Sequence, residues 1–369
     1  MRRFLVLFLL CVCMSASWAQ PRQPISRGVL DARIAAASSL FFWNGHLWAA
    51  ADHGRLTLYA LDTATAAIVD SLPSLHPVVQ DMEEIAQDEA FLYLADVGNN
   101  SGSRRNLHVL RYDKASLLSP QAVPDTIWFA YADQYSFEPA PMQTDFDCEA
   151  LVATDSCLLL FTKQWVSHGA TVYALPKTPG RYMASSVASL PVEGLVTGAS
   201  LSADGSRLVL CGYSPYLQPF LFGIDGFTGR FSDSQHSWRM AFDTIVAQVE
   251  GIASADDRRY FLCSEQFSLL ALRDSARLRV IDIMPQEVPS AVSPLPALPS
   301  FRLLPNPARR QVVVSGVPSG REVFLYDVAG HLLAVETATP EGCILHLDGL
   351  PAGIYRVSDG VSSLPLVAQ

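Results

Sequence analysis

The chain lacks the patterns from which common enzyme sites are read. No GxSxG, HExxH or P-loop occurs among its 369 residues, so serine hydrolase, zinc protease and kinase chemistry have no motif behind them. No CxxC pair occurs either. Beyond a leader segment the cysteines are Cys148, Cys157, Cys211, Cys263 and Cys343, an odd number that implies neither a zinc site nor a disulfide framework. Cys211 and Cys263 read as small buried apolar residues, and hairpin register gives a Cys148–Cys157 bridge no support. Basic residues form only short pairs while the formal charge is −10. That balance argues against a nucleic-acid partner and suits solubility and cation binding. After the leader no apolar run approaches the length of a transmembrane helix.

The leader itself is residues 1–19. A basic "MRR", the apolar "FLVLFLLCVCM" and the small residues of "SASWAQ" read as a signal peptide cut near Ala19. The expectation is a soluble protein exported across the inner membrane by the general secretory route.

What is abundant is β-strand pattern. "EGIASADDRRYFLCSEQ" from Glu250 aligns without gaps on "GASLSADGSRLVLCGYS" from Gly198. The same shape (apolar strand, polar turn, apolar strand, polar cluster) recurs in "EALVATDSCLLLFTKQW" from Glu149, "EEIAQDEAFLYLADVGNN" from Glu83 and "SSLFFWNGHLWAAADHG" from Ser38. Asn44-Gly45 marks the turn of the last of these as a tight hairpin. Each copy runs into two further strand-like segments, "SLLALRD" and "ARLRVIDI" in the copy from Glu250. Four strands repeated every ~45 to 65 residues predict a β-propeller over residues 28–283. Five blades are visible, and a sixth would need residues 114–147, where one strand is clear. Residues 284–300 are a proline-rich linker. The alternating runs of 301–369 predict a small antiparallel β-sandwich.

That last region resembles the type A C-terminal sorting domains of the type IX secretion system of Bacteroidetes, through Pro305-Asn306-Pro307, "VFLYDVAG" and "LPAGIYRV". The resemblance implies the type IX machinery as a partner and delivery outside the cell or to its outer surface. The ending "SSLPLVAQ" departs from the pattern in lacking a terminal basic residue.

In a propeller the start of each first strand and the end of each second strand share one mouth of the central channel. The starts contribute Ser38, Glu83, Glu149, Gly198 (with Thr197 beside it) and Glu250. The ends contribute Asp52 and His53, Asp96 with Asn99 and Asn100, Lys163 with Gln164, Tyr213, and Glu265 with Gln266. Three carboxylates around one axis repel unless protonated or bridged by a cation. Oxygen-only donors favour a hard ion, and calcium suits them best. Ser38, Glu83, Glu149, Thr197 and Glu250 are therefore the candidate metal ligands. Glu84, one residue on from Glu83, is expected to point away from the ion, into the sheet stack or a neighbouring blade.

The segments "DMEEIA", "LADVGNN", "ADHG", "LYALD", "CEAL" and "LFTK" resemble a family of secreted bacterial propellers of unassigned activity, with Met82 where a Trp is usual. More distantly, Ser38, Glu83, Glu149 and Glu250 are similar to the channel positions of calcium-dependent apyrases, five-bladed nucleotidases, while Thr197-Gly198 departs from their serine. The resemblance implies a central calcium. Two function classes follow. One is a surface binding module recognising a glycan, protein or small molecule through His53, Asn99, Asn100, Trp165, Tyr213 and Gln266. The other is a calcium-dependent hydrolase of phosphoanhydrides or phosphoesters, with Asp52, Asp96, Glu265 and Lys163 as catalytic candidates. Binding is the reading placed first.

Overall fold

The computed structural model describes residues 23–51, 54–72, 78–119, 122–231, 236–242, 245–269, 272–283, 301–328, 331–360 and 362–369. The leader, the linker and the pair Asp52–His53 lie outside the described residues, and so do the expectations that rest on them.

Apart from one turn of 3-10 helix at Ala32–Ile34, the described regular structure is β. Four strands form each unit of the larger region. The first unit is Ala37–Trp43, His46–Ala51, Leu58–Leu61 and Ile68–Leu72, and its turn places Asn44 and Gly45 at positive φ (48° and 80°). That is the backbone the Asn-Gly pair predicts. The second is Met82–Gln87, Phe91–Asp96, His108–Asp113 and Asp125–Tyr131; the third is Asp147–Ala153, Leu158–Lys163, Ala170–Leu175 and Gly180–Leu190. Their outermost strands pair in parallel, Ile127 against Gly180 through Tyr131 against Ala184, which joins the two units into one eight-stranded sheet. The fourth is Leu195–Leu201, Arg207–Tyr213, Pro219–Asp225 and His236–Ala241.

The last unit departs from the sequence reading. Val249–Ser254, Arg259–Ser264 and Arg277–Asp282 are its first three strands, and the fourth is Ile25–Val29 from the start of the described chain. The segment "SLLALRD", read as a third strand, instead contributes to a short separate hairpin, Phe267–Leu269 with Leu272–Asp274. The reason is topological: a ring of sheets closes when the two chain ends share one unit, and such a long-range pair leaves no local trace. Among the described residues of 114–147, Asp125–Tyr131 joins the second unit, Asp147 opens the third, and no separate sheet forms.

Apolar faces of successive units meet in separate clusters. Phe41, Trp48, Ile85 and Leu94 pack between the first two units, Tyr93, Ile127, Leu151 and Tyr173 between the next two, and Val152, Phe161, Leu210 and Phe220 between the third and fourth. Val209 and Leu221 meet Ile252 and Leu262 between the fourth and the last, and Leu40 and Leu47 meet Phe261 and Val280 where the last meets the first. The first strands likewise contact one another in a closed cycle. This is a β-propeller whose first and second strands are apolar runs buried on both faces.

Residues 301–369 form a three-stranded sheet (Arg302–Leu304, Gln311–Ser315, Cys343–His346) and a four-stranded sheet (Leu332–Thr337, Glu322–Tyr326, Gly353–Ser358, Ser363–Ala368) around one core that includes Val312, Val323, Leu345, Val357 and Leu366. Asn306 Nδ2 donates to Tyr216 Oη of the propeller at 3.4 Å. The cysteines at 148, 157, 211, 263 and 343 are free thiols, with Cys211 and Cys263 fully buried.

Candidate functional site

Every first strand carries a register break near its start. It falls between Ala37 and Ser39, Met82 and Glu84, Cys148 and Ala150, Val196 and Gly198, and Val249 and Gly251. The skipped residues are Ser38, Glu83, Glu149, Thr197 and Glu250. A bulged residue sits outside the ladder and its side chain is re-aimed. These five are the positions that the sequence placed at the channel mouth. Thr197, not Gly198, is the partner of Glu250, because the fourth unit's hairpin is one residue longer: Gly198 pairs with Cys211, whereas Gly251 pairs with Cys263. The ungapped alignment therefore slips by one on the first strand.

Ser38, Glu83, Glu149 and Glu250 line one cavity of about 190 Å³ with Asp81, Asn100, Lys163, Trp165, Tyr213, Gln248 and Glu265. The starts of first strands and the ends of second strands thus share a mouth. Thr197 is not among the residues lining it, and the hydroxyls of both Ser38 and Thr197 are already engaged. Ser38 Oγ donates to Met82 O at 2.8 Å and Thr197 Oγ1 to Val249 O at 2.5 Å. Each staples its strand to the backbone just before the next unit's bulged glutamate.

The carboxylates are less satisfied. Glu83 is 7% exposed, and among the described residues no protein donor is hydrogen-bonded to its carboxyl. Burial first, then Glu149, Asp81 and Asp147, hold it well above the usual carboxylate range, against the pull of Lys163. Burial and Glu265 push Glu250 to about 8, with Lys163 opposing. Glu149 is also raised, because burial outweighs the ammonium beside it. That ammonium is Lys163 Nζ, 3.2 Å from Glu149 Oε1 and over the rings of Trp165 and Tyr213 at 4.7 and 5.2 Å from their centroids. Burial works to lower Lys163, and Glu149 with Tyr213 and Glu250 outweighs it, so it stays charged.

Asp81, Asp147 and Gln248 were not among the sequence candidates. The signal was there: Asp81-Met82-Glu83, Asp147-Cys148-Glu149 and Gln248-Val249-Glu250 repeat an acid or amide two residues before each bulged glutamate. Asp147 is fully buried, accepting from Asn99 N at 2.5 Å and Trp165 Nε1 at 2.8 Å. Asp81 faces Glu83 across Gly98, where a Cβ would collide with Asp81 Oδ2 and Glu83 Oε1. The absent side chain leaves a cradle for both carboxylates.

The remaining candidates divide. Asn100, Trp165, Tyr213, Glu265 and Lys163 reach the cavity. Asn99 is a buried brace whose Nδ2 donates to Phe146 O and whose Oδ1 accepts from Arg104 N. Asp96 is buried and bound by Gln80 N, Asp81 N and Arg104. Gln266 is exposed and its backbone N–H donates to Ala35 O. Glu84 stays out of the cavity lining, as expected, but reaches across the ring and not into a neighbouring unit: it is 1% exposed, its Oε2 accepting from Ala199 N of the fourth unit at 3.0 Å while Oε1 accepts from Ile85 N. Strand alternation fails at a bulge, so neighbouring side chains need not oppose.

As a cation site the donor set is hard, oxygen-only and acid-rich, and the cradle over Gly98 fits an ion. Yet among the described residues no three His, Cys, Asp or Glu side chains stand within common reach of one ion. Lys163 holds the place at Glu149.

No family model matches the chain, and no curated protein matches it. Solved structures similar to it include the glutaminyl cyclase of Myxococcus xanthus (16% identity, 71% of this chain and 100% of that one, TM-score 0.36). Another is the gluconolactonase XC5397 of Xanthomonas campestris (13%, 72% and 98%, TM-score 0.37). A third is PorZ, a surface component of the type IX secretion system of Porphyromonas gingivalis (12%, 90% of this chain but 45% of PorZ, TM-score 0.33). Likenesses this remote say nothing of chemistry.

Proposed function

We propose that this chain is an exported five-bladed β-propeller that binds a divalent cation, calcium, at the mouth of its channel and uses that mouth to hold a ligand at the cell surface. The observation that carries the cation reading is Glu83: a buried carboxyl without a protein donor, beside Asp81 over Gly98, in a cavity lined by five carboxylates and one ammonium. Burying that excess of charge is costly unless a cation or protons offset it. Asp81, Glu83, Glu149 and Glu250 are the residues that would hold the ion, and calcium accepts such flexible oxygen donors best. When bound, it would supply a positive charge to an acidic or polyhydroxyl ligand.

Binding is favoured over phosphoanhydride hydrolysis by the state of the basic residues. Arg104 is spent on Asp96, and among the residues lining the cavity Lys163 is the one cation against five carboxylates. Little is left to meet a polyphosphate. For delivery, residues 1–19 serve as the export signal and 301–369 as the type IX sorting domain, a reading that rests on the motifs quoted above. The test of the cation is thermal. Calcium should raise the melting temperature and chelator lower it, since a ligand of the native state alone stabilises it. Glu83→Gln should abolish the response. A melting curve indifferent to calcium and chelator would overturn the reading.

A further inference from the structure

Lysine is scarce in this chain. Lys114, Lys163 and Lys177 are the only three, against twenty-three arginines. Lys114 and Lys177 bind Gln87, Asp88 and Thr154 at the turns between first and second strands. Lys163 alone enters the channel mouth, its side chain 5% exposed, between Glu149 and the faces of Trp165 and Tyr213. The choice of lysine has a physical consequence. A guanidinium grips a carboxylate as a rigid fork, whereas an ammonium on a four-carbon stem is a compact charge that can move. Here it has somewhere to go, because an aromatic face attracts a cation.

We propose, resting on the calcium reading above, that Lys163 is a built-in competitor for the cation site. In the ion-free protein its ammonium occupies Glu149. When a divalent ion enters, Lys163 gives up that carboxylate and stays against the Trp165 and Tyr213 rings. The same residue then sets specificity. A monovalent ion offers the carboxylates no more charge than Lys163 already does, and a divalent ion offers twice as much. Lys163 thereby filters by charge, and Glu149 is the ligand whose release gates entry.

The experiment uses the full chain. Calcium affinity is measured by calorimetry for the wild type, Lys163→Met and Lys163→Arg. In parallel, carbon-13 lysine labelling follows three side-chain signals, with that of Lys163 assigned by its loss in the arginine variant. Lys163→Met should bind calcium about tenfold or more tightly and lose discrimination against sodium, because a like charge a few ångströms from the ion is gone. Lys163→Arg should bind it about tenfold or more weakly. Calcium should shift the Lys163 signal in the wild type and leave those of Lys114 and Lys177 in place. Wild-type calcium binding with an unmoved Lys163 signal, or with equal affinity in the methionine variant, overturns the competitor while the calcium reading stands. Failure of all three proteins to bind calcium overturns both. Should the methionine variant not fold, the wild-type signal decides.

Discussion

Replacing Asp96 by alanine should act on the stability of the fold and not on any chemistry. Asp96 ends the second strand of the second unit at 2% exposure. Its Oδ2 accepts from Gln80 N at 2.9 Å, and its Oδ1 from Asp81 N at 3.1 Å and from Arg104 Nη2 at 2.8 Å. The Arg104 side chain is itself only 9% exposed. Truncation strands a nearly buried guanidinium, which costs about 3–5 kcal/mol. It also strands two backbone N–H groups, each costing about 1–3 kcal/mol where water cannot reach. Arg104 keeps its bonds to Gly98 O and Asp96 O, and the site lies near the mouth, so about 4 kcal/mol is a fair expectation. At about 2–4 °C per kcal/mol for a domain of this size, the melting temperature should fall by about 8–16 °C. Asp96→Asn, which keeps shape and one acceptor, should fall between alanine and wild type. Calorimetry on the three proteins, with urea midpoints as a check, measures it. An alanine variant that melts within about 2 °C of wild type would refute the reasoning. So would an asparagine variant of unchanged stability that loses a ligand or a turnover, since Asp96 would then be a chemical group after all.

Gly98→Ala should leave the fold standing but weaken calcium binding by about tenfold or more, because its methyl enters the space of the Asp81 and Glu83 carboxylates; calorimetry at fixed ionic strength measures it, and unchanged affinity would move the ion elsewhere. Deleting 301–369 should yield a folded propeller retained in the periplasm on the proposed sorting role, since a region with its own core is dispensable to the fold it follows. Fractionation of cells carrying the truncation tests this, and surface delivery without the domain would remove the sorting assignment.

The parts of this fold that are legible in sequence are those written locally. Apolar strands separated by polar turns, Asn44-Gly45 among them, mark the hairpins, and the repetition of the hairpin marks the ring. The mouth was legible too, because it follows from which strand ends share a face: Glu83, Glu149, Glu250, Lys163 and Tyr213 do meet. What could not be read locally is pairing over distance. Ile25–Val29 reads as an ordinary leading segment until Arg277–Asp282 is found beside it. Loop length also defeats an ungapped comparison: the turn after Leu201 holds one residue more than that after Ser254, and that shift turns Thr197 into Gly198.

Glu83 and Glu84 stand back to back on a buried strand, an arrangement strand periodicity alone would forbid. The bulge at Glu83 resolves it. Released from the ladder, Glu83 turns to the mouth, while Glu84 re-enters the ladder and spans the channel to Ala199 N. Two buried carboxyls thus take different offsets. Glu84 is offset by two backbone N–H groups and needs no cation, although burial still holds it well above the usual carboxylate range. Glu83 lacks those donors. A bulge interrupts ladder pairing, yet the break recurs in every first strand, with a serine or threonine where the side chain staples the neighbouring unit and a glutamate where it faces the cavity. The device is therefore general to the ring, and the choice of residue decides what each bulge does: hydroxyls hold the ring together, and carboxylates charge its mouth.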